Sequence, residues 1–379
     1  MTVRLCARCV NPTSRPNLAL DAEGVCPVCR YEEQKASQAI DWAARRAELR
    51  ALCDWGKQNS RSTYDCIVTV SGGKDSTRQA CFARDELGMN PLLVNCAYPP
   101  EQMSELGAHN LGNLIGLGFD TLSVSPDPLL WKRLMLEGLR RYGNWARSTE
   151  MALYAIPIHA AVAYQIPLIF YGENPALTIG ERHGRADGDA SQLKQGNTIA
   201  GGPQALLPAD VPAHDAHFYF YPPDEDMAAA RLRLAYLGYY IPDWSGRNNA
   251  AFSRARGFRT RPEPPEMIGD LWGISCLDED YSIVNQYLKY LKLGFGRVTD
   301  QVCEAISSGA MMREEGLDLV RRYDGKCDAS FIRRFCAYLG IEQREFDQIA
   351  ERYRNAEIWR QDGDGRWSLM LDTAEKALL

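Results

Sequence analysis

The strongest constraint on this chain is a junction near residue 70. Thr63 to Val70 reads as a turn and then a strand, with Cys66-Ile67-Val68-Thr69-Val70 apolar and β-branched, and it runs directly into Ser71-Gly72-Gly73-Lys74-Asp75-Ser76. A helical pattern follows to about Leu87. Strand, glycine turn and helix in that order make an anion cradle. The glycines let backbone N–H groups close around an anion, the helix start adds its positive end, and Lys74 adds a formal charge. Ser71 and Ser76 can donate hydroxyl hydrogen bonds to the same oxygens. The segment departs from G-x-x-x-x-G-K-[ST], because Asp75 follows Lys74 and the first glycine is not at the required distance, which disfavours a P-loop hydrolase of a β–γ bond.

The surrounding pattern predicts an α/β fold, a doubly wound parallel sheet. Pro91 to Cys96 reads as a second strand, Gln102 to Gly116 as a helix and Thr121 to Val124 as a short strand. Helices follow near Leu129 to Arg141 and Thr149 to Gln165, and then a strand at Pro167 to Tyr171. Ligands of such sheets sit at the carboxyl ends of strands, so Ser71 to Ser76, Asn95 to Tyr98 and Gly172-Glu173-Asn174 should converge on one crevice. Glu173 there could hold Mg2+ or orient a substrate. From Asn174 to around Met227 runs a segment of about fifty residues with little periodicity, as in binding loops and lids. It carries Glu181, His183, Arg185, His214 and His217 as candidate contacts.

The amino-terminal segment holds two C-x-x-C pairs, Cys6/Cys9 and Cys26/Cys29, with 16 residues between them. That spacing suits a four-thiolate, structural Zn2+ site, with an Fe–S cluster as the competing reading. The other eight of the 12 cysteines sit singly in apolar patterns and read as buried small hydrophobes. With 43 Lys+Arg against 49 Asp+Glu and a net charge of -6, the 379 residues carry no overall basic footprint, so no nucleic-acid partner is expected. The first residues show no apolar leader, and the one membrane-like stretch, Leu153 to Tyr171, is broken by Pro157, His159, Gln165 and Pro167. A cytoplasmic chain without a membrane span is therefore expected.

From Tyr281 the pattern is helical and Gly-punctuated, and Trp359, Trp367 and Asp362-Gly363-Asp364-Gly365 suggest a turn-bearing tail. Asp278-Glu279-Asp280 reads as a solvated acidic turn near the entrance of this helical part. The expected organisation is a zinc-ribbon segment with linking helix at 1–58, an α/β domain carrying the glycine turn and the long loop at 59–245 and a helical domain at 246–379.

Ser71 to Ser76 after a buried strand resembles the PP-loop of ATP pyrophosphatases, which grips the β–γ pyrophosphate while a substrate oxygen attacks the α-phosphorus. Further stretches resemble the bacterial N-acetyl sugar amidotransferases of surface-polysaccharide biosynthesis: both C-x-x-C pairs, Tyr142 to Trp145, Ser148 to Glu150, Gly172 to Leu177, Tyr236 to Tyr240, Leu277 to Asp280, Lys292 to Arg297 and Arg321 to Gly325. Glu173 to Leu177 and Asp189 to Ser191 look most like the branch acting on nonulosonic acids; another branch acts on nucleotide-linked diacetamido-uronic acids.

The resemblance implies conversion of a sugar acetamide to an acetamidine with ATP and Mg2+. Ser71, Gly72, Gly73, Lys74, Asp75, Ser76 and Asn95 would hold ATP. Lys74, Asp75 and Glu173 would be catalytic, with Asp75 fixing the loop or binding Mg2+. Asn174, Glu181, His183 and Arg297 would meet the sugar, Arg297 at its carboxylate. None of the cysteines lies on a G-x-C-x-G elbow and Thr2 follows Met1, so no glutaminase is evident. The resemblance implies ammonia from a separate glutaminase with a cyclase-like channel protein. The alternatives are a PP-loop tRNA-modifying enzyme of thiolase type, which the acidic balance disfavours, and a non-catalytic zinc scaffold.

Overall fold

The computed structural model describes residues 2–182, 184–193 and 202–371. Its centre is a parallel sheet of β1 (Cys66–Val70), β2 (Pro91–Cys96), β3 (Thr121–Val124), β4 (Leu168–Tyr171) and β5 (Arg233–Tyr236), in the order β3-β2-β1-β4-β5. Val68 of β1 is in register with Leu93 on one side and Phe170 on the other. Strand alternation sends Ile67, Leu92, Val94 and Ile169 to one face, against helices Pro128–Tyr142 and Ala146–Tyr164. Val68, Val70, Leu93 and Phe170 face the opposite layer, helices Trp42–Asn59, Lys74–Cys81 and Glu105–Gly116. With both faces covered, every residue of β2 and β4 is buried, which is why these strands read as continuous apolar runs.

The strand order reverses between β1 and β4, so the chain leaves these two neighbours in opposite directions and opens a crevice at their carboxyl ends. β5 continues this side of the sheet and was not anticipated. Its four residues, Arg-Leu-Ala-Tyr, carry no β-branched side chain, and its pairing with β4 spans a long excursion of chain. The first helix after β1 is also shorter than its pattern predicts, giving way at Phe82–Glu86 to a π-helical turn.

Helices Ser282–Leu293, Arg297–Ser307, Arg313–Tyr323, Ala329–Leu339 and Gln343–Tyr353 follow, then a hairpin of β6 (Trp359–Gln361) and β7 (Trp367–Leu369). These helices share one core with the sheet layer. Trp145 packs on Phe335 with ring centroids 6.1 Å apart and its indole N–H donates to the Tyr281 carbonyl over 3.0 Å. Among the described residues no helix is long and apolar enough to cross a membrane; Leu153 to Tyr171 is the end of a helix, a turn and β4, as expected.

Candidate functional site

The glycine turn after β1 is built as a cradle. Gly72 has φ +88°, and a Cβ there would lie 2.7 Å from the Leu111 nitrogen, so both its backbone conformation and its packing exclude a side chain. The Ser76 hydroxyl accepts from the Ser71 N–H over 2.9 Å, which bends the chain back on itself. The helix beginning at Lys74 points its first N–H groups, which have no intrahelical acceptor, at the crevice.

Lys74 Nζ lies 2.6 Å from Asp75 Oδ2. Burial pulls the Lys74 ammonium down, but Asp75, Glu173 and Glu304 more than offset it and the net shift is upward, so Lys74 stays charged at neutral pH. Asp75 is fixed on its other side by Asn249, whose amide donates over 2.8 Å, and Ser253 Oγ donates to the Lys74 carbonyl. Both belong to helix Gly246–Arg254, capped by Ser245. Sequence reasoning missed this helix; its usable signal was Ser245-Gly246 followed by polar Arg247-Asn248-Asn249, an N-cap opening on a crevice.

A cavity of about 590 Å3, a size suited to a nucleotide or sugar, opens from Lys74 and Asp75. Its walls include Glu173, Asn174, Arg297, Asp300 and Glu304, together with Tyr31 and Glu32 of helix Pro27–Ala36. Glu173 is exposed into this cavity and makes no hydrogen bond among the described residues. The surrounding protein and Asp75 push its carboxyl above the usual range, while Lys74 and Arg297 pull it back. Arg297 has no carboxylate within ion-pairing distance among the described residues; its guanidinium contacts Cys276 Sγ at 3.6 Å. Burial lowers its basicity, yet Cys276, Asp300, Asp270 and Glu173 around it outweigh that.

The cavity thus gathers Lys74, Asp75, Glu173, Asn174 and Arg297 from distant parts of the chain. Asn174 stands in the wall, but its amide is committed: it donates to the Arg185 and Asp187 carbonyls and accepts from Ala176 N–H, so it shapes the loop after β4. Asn95 donates to the Val70 carbonyl over 2.9 Å, holding the end of β1 against β2. Glu181 is not among the cavity residues, and His183 lies outside the described residues. His214 is a surface group beside Asp215, and the His217 ring lies tilted against that of His159, centroids 4.2 Å apart.

Cys6, Cys9, Cys26 and Cys29 are buried with their sulfurs all within 4.8 Å of one another. Cys6 and Cys29 are 3.9 Å apart and Cys9 and Cys26 3.7 Å. Four sulfurs about 2.3 Å from a tetrahedral Zn2+ stand about 3.8 Å from one another, so the set fits that ion. The Cys26 and Asn11 N–H groups point at Cys6 and Cys9 sulfurs, as thiolate ligands require. The knuckles pack on Val298 and Val302, the back of the helix whose front carries Arg297, Asp300 and Glu304. Of the other eight cysteines, Cys276 is exposed and Cys327 half-buried, correcting the expectation that all are core residues.

The acidic turn is likewise not a solvated one. Glu279 is 1% exposed and accepts from Tyr281 N, Ser282 N and Gln102. Asp280 pairs with Arg261 at 2.6 Å and Arg334 at 2.7 Å. Asp278 is half-buried on this turn, its carbonyl accepting from the Ser104 N–H over 2.9 Å, and burial and Glu279 push its carboxyl up to about 7.

Fold and site define an α/β protein with a glycine turn at the switch point of a parallel sheet and a cavity closed by a helical carboxy-terminal part. Residues 272–373 match the family model described as "LPS biosynthesis protein WbpG-like, C-terminal domain", and this stretch supplies Arg297, Asp300 and Glu304. No curated protein matches the chain. Among solved structures, one titled "Structure of NMN synthetase from Francisella tularensis" aligns over 59% of this chain and 99% of that chain, at 15% identity and a TM-score of 0.25. So low a score does not define a shared fold.

Proposed function

We propose that this chain is an ATP-dependent amidotransferase of bacterial surface-glycan biosynthesis that converts a sugar acetamido group to an acetamidino group. The observation that carries this reading is one cavity lined both by Lys74 and Asp75 of the glycine turn and by the carboxy-terminal segment that matches the WbpG-like lipopolysaccharide-biosynthesis domain. The resemblance of the turn to the PP-loop supplies the nucleotide chemistry.

An amide carbon is a poor electrophile. In the proposed reaction the amide oxygen attacks the α-phosphorus of ATP, the α–β bridge breaks and pyrophosphate leaves. Ammonia then adds to the imidate carbon, and AMP departs with the former amide oxygen while the nitrogen gives up a proton. The turn N–H groups, Ser71, Ser76 and Lys74 stabilise charge on the leaving pyrophosphate. Asp75 and Glu173 on the cavity wall would supply carboxylate oxygens to Mg2+, which would screen the phosphate charges when bound. Arg297, with no carboxylate in ion-pairing distance among the described residues, is assigned to an anionic group of the sugar, the carboxylate of a nonulosonic or uronic acid. The four-cysteine cluster is assigned a structural Zn2+. Ammonia reaches the site free or from a separate glutaminase and its channel protein.

The test is the fate of ATP: incubation with an acetamido sugar acid, Mg2+ and ammonium should yield AMP and pyrophosphate only when the sugar is present. ADP and phosphate would contradict the proposal, and sugar-independent shift of tRNA in moderate salt would favour the thiolase reading.

A further inference from the structure

Arg297 is the first residue of its helix, a place where helix stability alone disfavours a cation. That first turn is fixed by Asp324, whose carboxylate accepts from the Gly296, Val298 and Thr299 N–H groups and from Thr299 Oγ1 over 2.6 Å. The natural partner for Arg297 is Asp300, its i,i+3 neighbour on the same helical face. Asp300 is already taken on both oxygens: Oδ1 is ion-paired with Arg15, and Oδ2 with Lys289 Nζ over 2.7 Å. One ring seats both cations. Phe295 is 2% exposed, and its centroid lies 4.3 Å from the Arg15 guanidinium carbon and 4.4 Å from Lys289 Nζ. Asp270, which lines a small pocket together with Arg297, is spent on the Trp272, Gly273 and Ser275 N–H groups and on the Gln301 amide. Arg297 is left with Cys276 Sγ at 3.6 Å, a weak acceptor.

We propose that Arg15 and Lys289 are positioning residues of the substrate site: by filling both oxygens of Asp300 they keep the Arg297 guanidinium open for the carboxylate of the acetamido sugar. The inference rests on the assignment of Arg297 to the sugar's anionic group. A guanidinium meets a carboxylate best through two parallel N–H···O bonds, and it can offer that fork to a ligand only while no protein carboxylate holds it. The side chains of Arg15, Asp300 and Lys289 are 8%, 16% and 23% exposed, so little water competes for the two oxygens, and a third cation takes one only when a present partner gives it up. Without Lys289, Oδ2 of Asp300 becomes available to Arg297 one turn away. A ligand's apparent affinity then falls with the fraction of Arg297 that is still open. In this way a residue of the cysteine-bearing segment and one from the neighbouring helix Ser282–Leu293 set the availability of a side chain that neither replaces in the cavity.

The test uses the full chain and two probes, N-acetylneuraminate, an acetamido nonulosonic acid, and its uncharged methyl ester. Lys289→Met keeps a side chain over Phe295 and removes the charge from Asp300 Oδ2. With Arg297 then open about a tenth of the time, the Kd of the acid by calorimetry should rise roughly tenfold, while the Kd values of the ester and of Mg-ATP stay within about twofold. Lys289→Arg still fills Oδ2 and should bind the acid as the wild type does. Adding Asp300→Asn to Lys289→Met removes the competing carboxylate and should restore affinity for the acid, whereas plain structural damage would deepen. Ligand-free crystals of Lys289→Met should show Arg297 paired with Asp300. Unchanged affinity for the acid in Lys289→Met, or no recovery in the double variant, overturns the inference. An Arg297–Asp300 ion pair in wild-type crystals overturns it whether or not the variant folds. A wild type that does not prefer the acid to the ester, or an Arg297→Ala variant that binds the acid equally well, removes the assignment of Arg297 and the inference with it, while AMP and pyrophosphate release dependent on an acetamido sugar would still uphold the proposed function.

Discussion

Arg15, six residues beyond Cys9, is ion-paired with Asp300 on the helix that lines the cavity, and both side chains are largely buried. Arg15 also lies over the Phe295 ring at 4.3 Å and donates to Asn11. Through this pair the cysteine cluster reaches the cavity wall. Burial alone would raise the Asp300 carboxyl, but Lys289, Arg15 and Arg297 hold it well below the usual carboxylate range. Arg15→Ala should destabilise the chain by about 2–4 kcal/mol at neutral pH, Lys289 sparing the rest of a buried pair's cost. A depressed carboxylate stabilises above its unfolded pKa and loses that contribution as pH falls. The gap between wild type and variant in urea denaturation should therefore narrow below about pH 4. A gap independent of pH would show that the pair is not its source.

The cluster itself should hold one Zn2+ per chain, read by plasma mass spectrometry of the purified protein. Cys26→Ser should lose the metal and melt at lower temperature, because Val298 and Val302 lose the surface they pack on. A soluble, metal-free variant with wild-type melting would show that the thiols need no ion.

Two adjacent glycines should answer alanine differently. Gly72→Ala forces a left-handed residue and a Cβ 2.7 Å from the Leu111 backbone. Gly73, with φ -71°, would place a Cβ only against Ser71 Oγ at 3.3 Å. Gly72→Ala is expected to weaken Mg-ATP binding by at least about tenfold and Gly73→Ala by less. Equal effects would mean the turn is tuned by bulk alone.

Lys74→Ala should abolish pyrophosphate release with the fold intact by circular dichroism. Asn249→Ala, which frees Asp75 on one side, should lower kcat roughly 10- to 100-fold while leaving KM for the sugar nearly unchanged. A change confined to KM would place Asn249 against the sugar instead.

The parts of this site that were legible in the sequence are those whose physics is local. β1, β2 and β4 announce themselves by apolar runs, the turn by its glycines and lysine, the cluster by paired cysteines, because each pattern is read within a few residues. Helix Gly246–Arg254, the cavity face of Pro27–Ala36 and the clasped turn at Asp278 to Asp280 were not, since their roles come from contacts with separate parts of the chain that no local pattern brings together. Three consecutive acids look solvated until Gln102, Arg261 and Arg334 are brought to them by the fold. Arg297 lay between: its resemblance suggested a substrate contact, and only the packing of its helix places it in the cavity with Lys74.

The central claim is that the cavity joins ATP chemistry to a sugar acetamide, and the most direct measurement is the mass of the sugar after incubation with the enzyme, ATP, Mg2+ and ammonium. Replacement of the carbonyl oxygen by an imino nitrogen predicts a product lighter by one mass unit, absent when Lys74 is alanine, and carrying 15N when the ammonium is labelled. An unchanged sugar mass alongside ATP turnover would contradict the account.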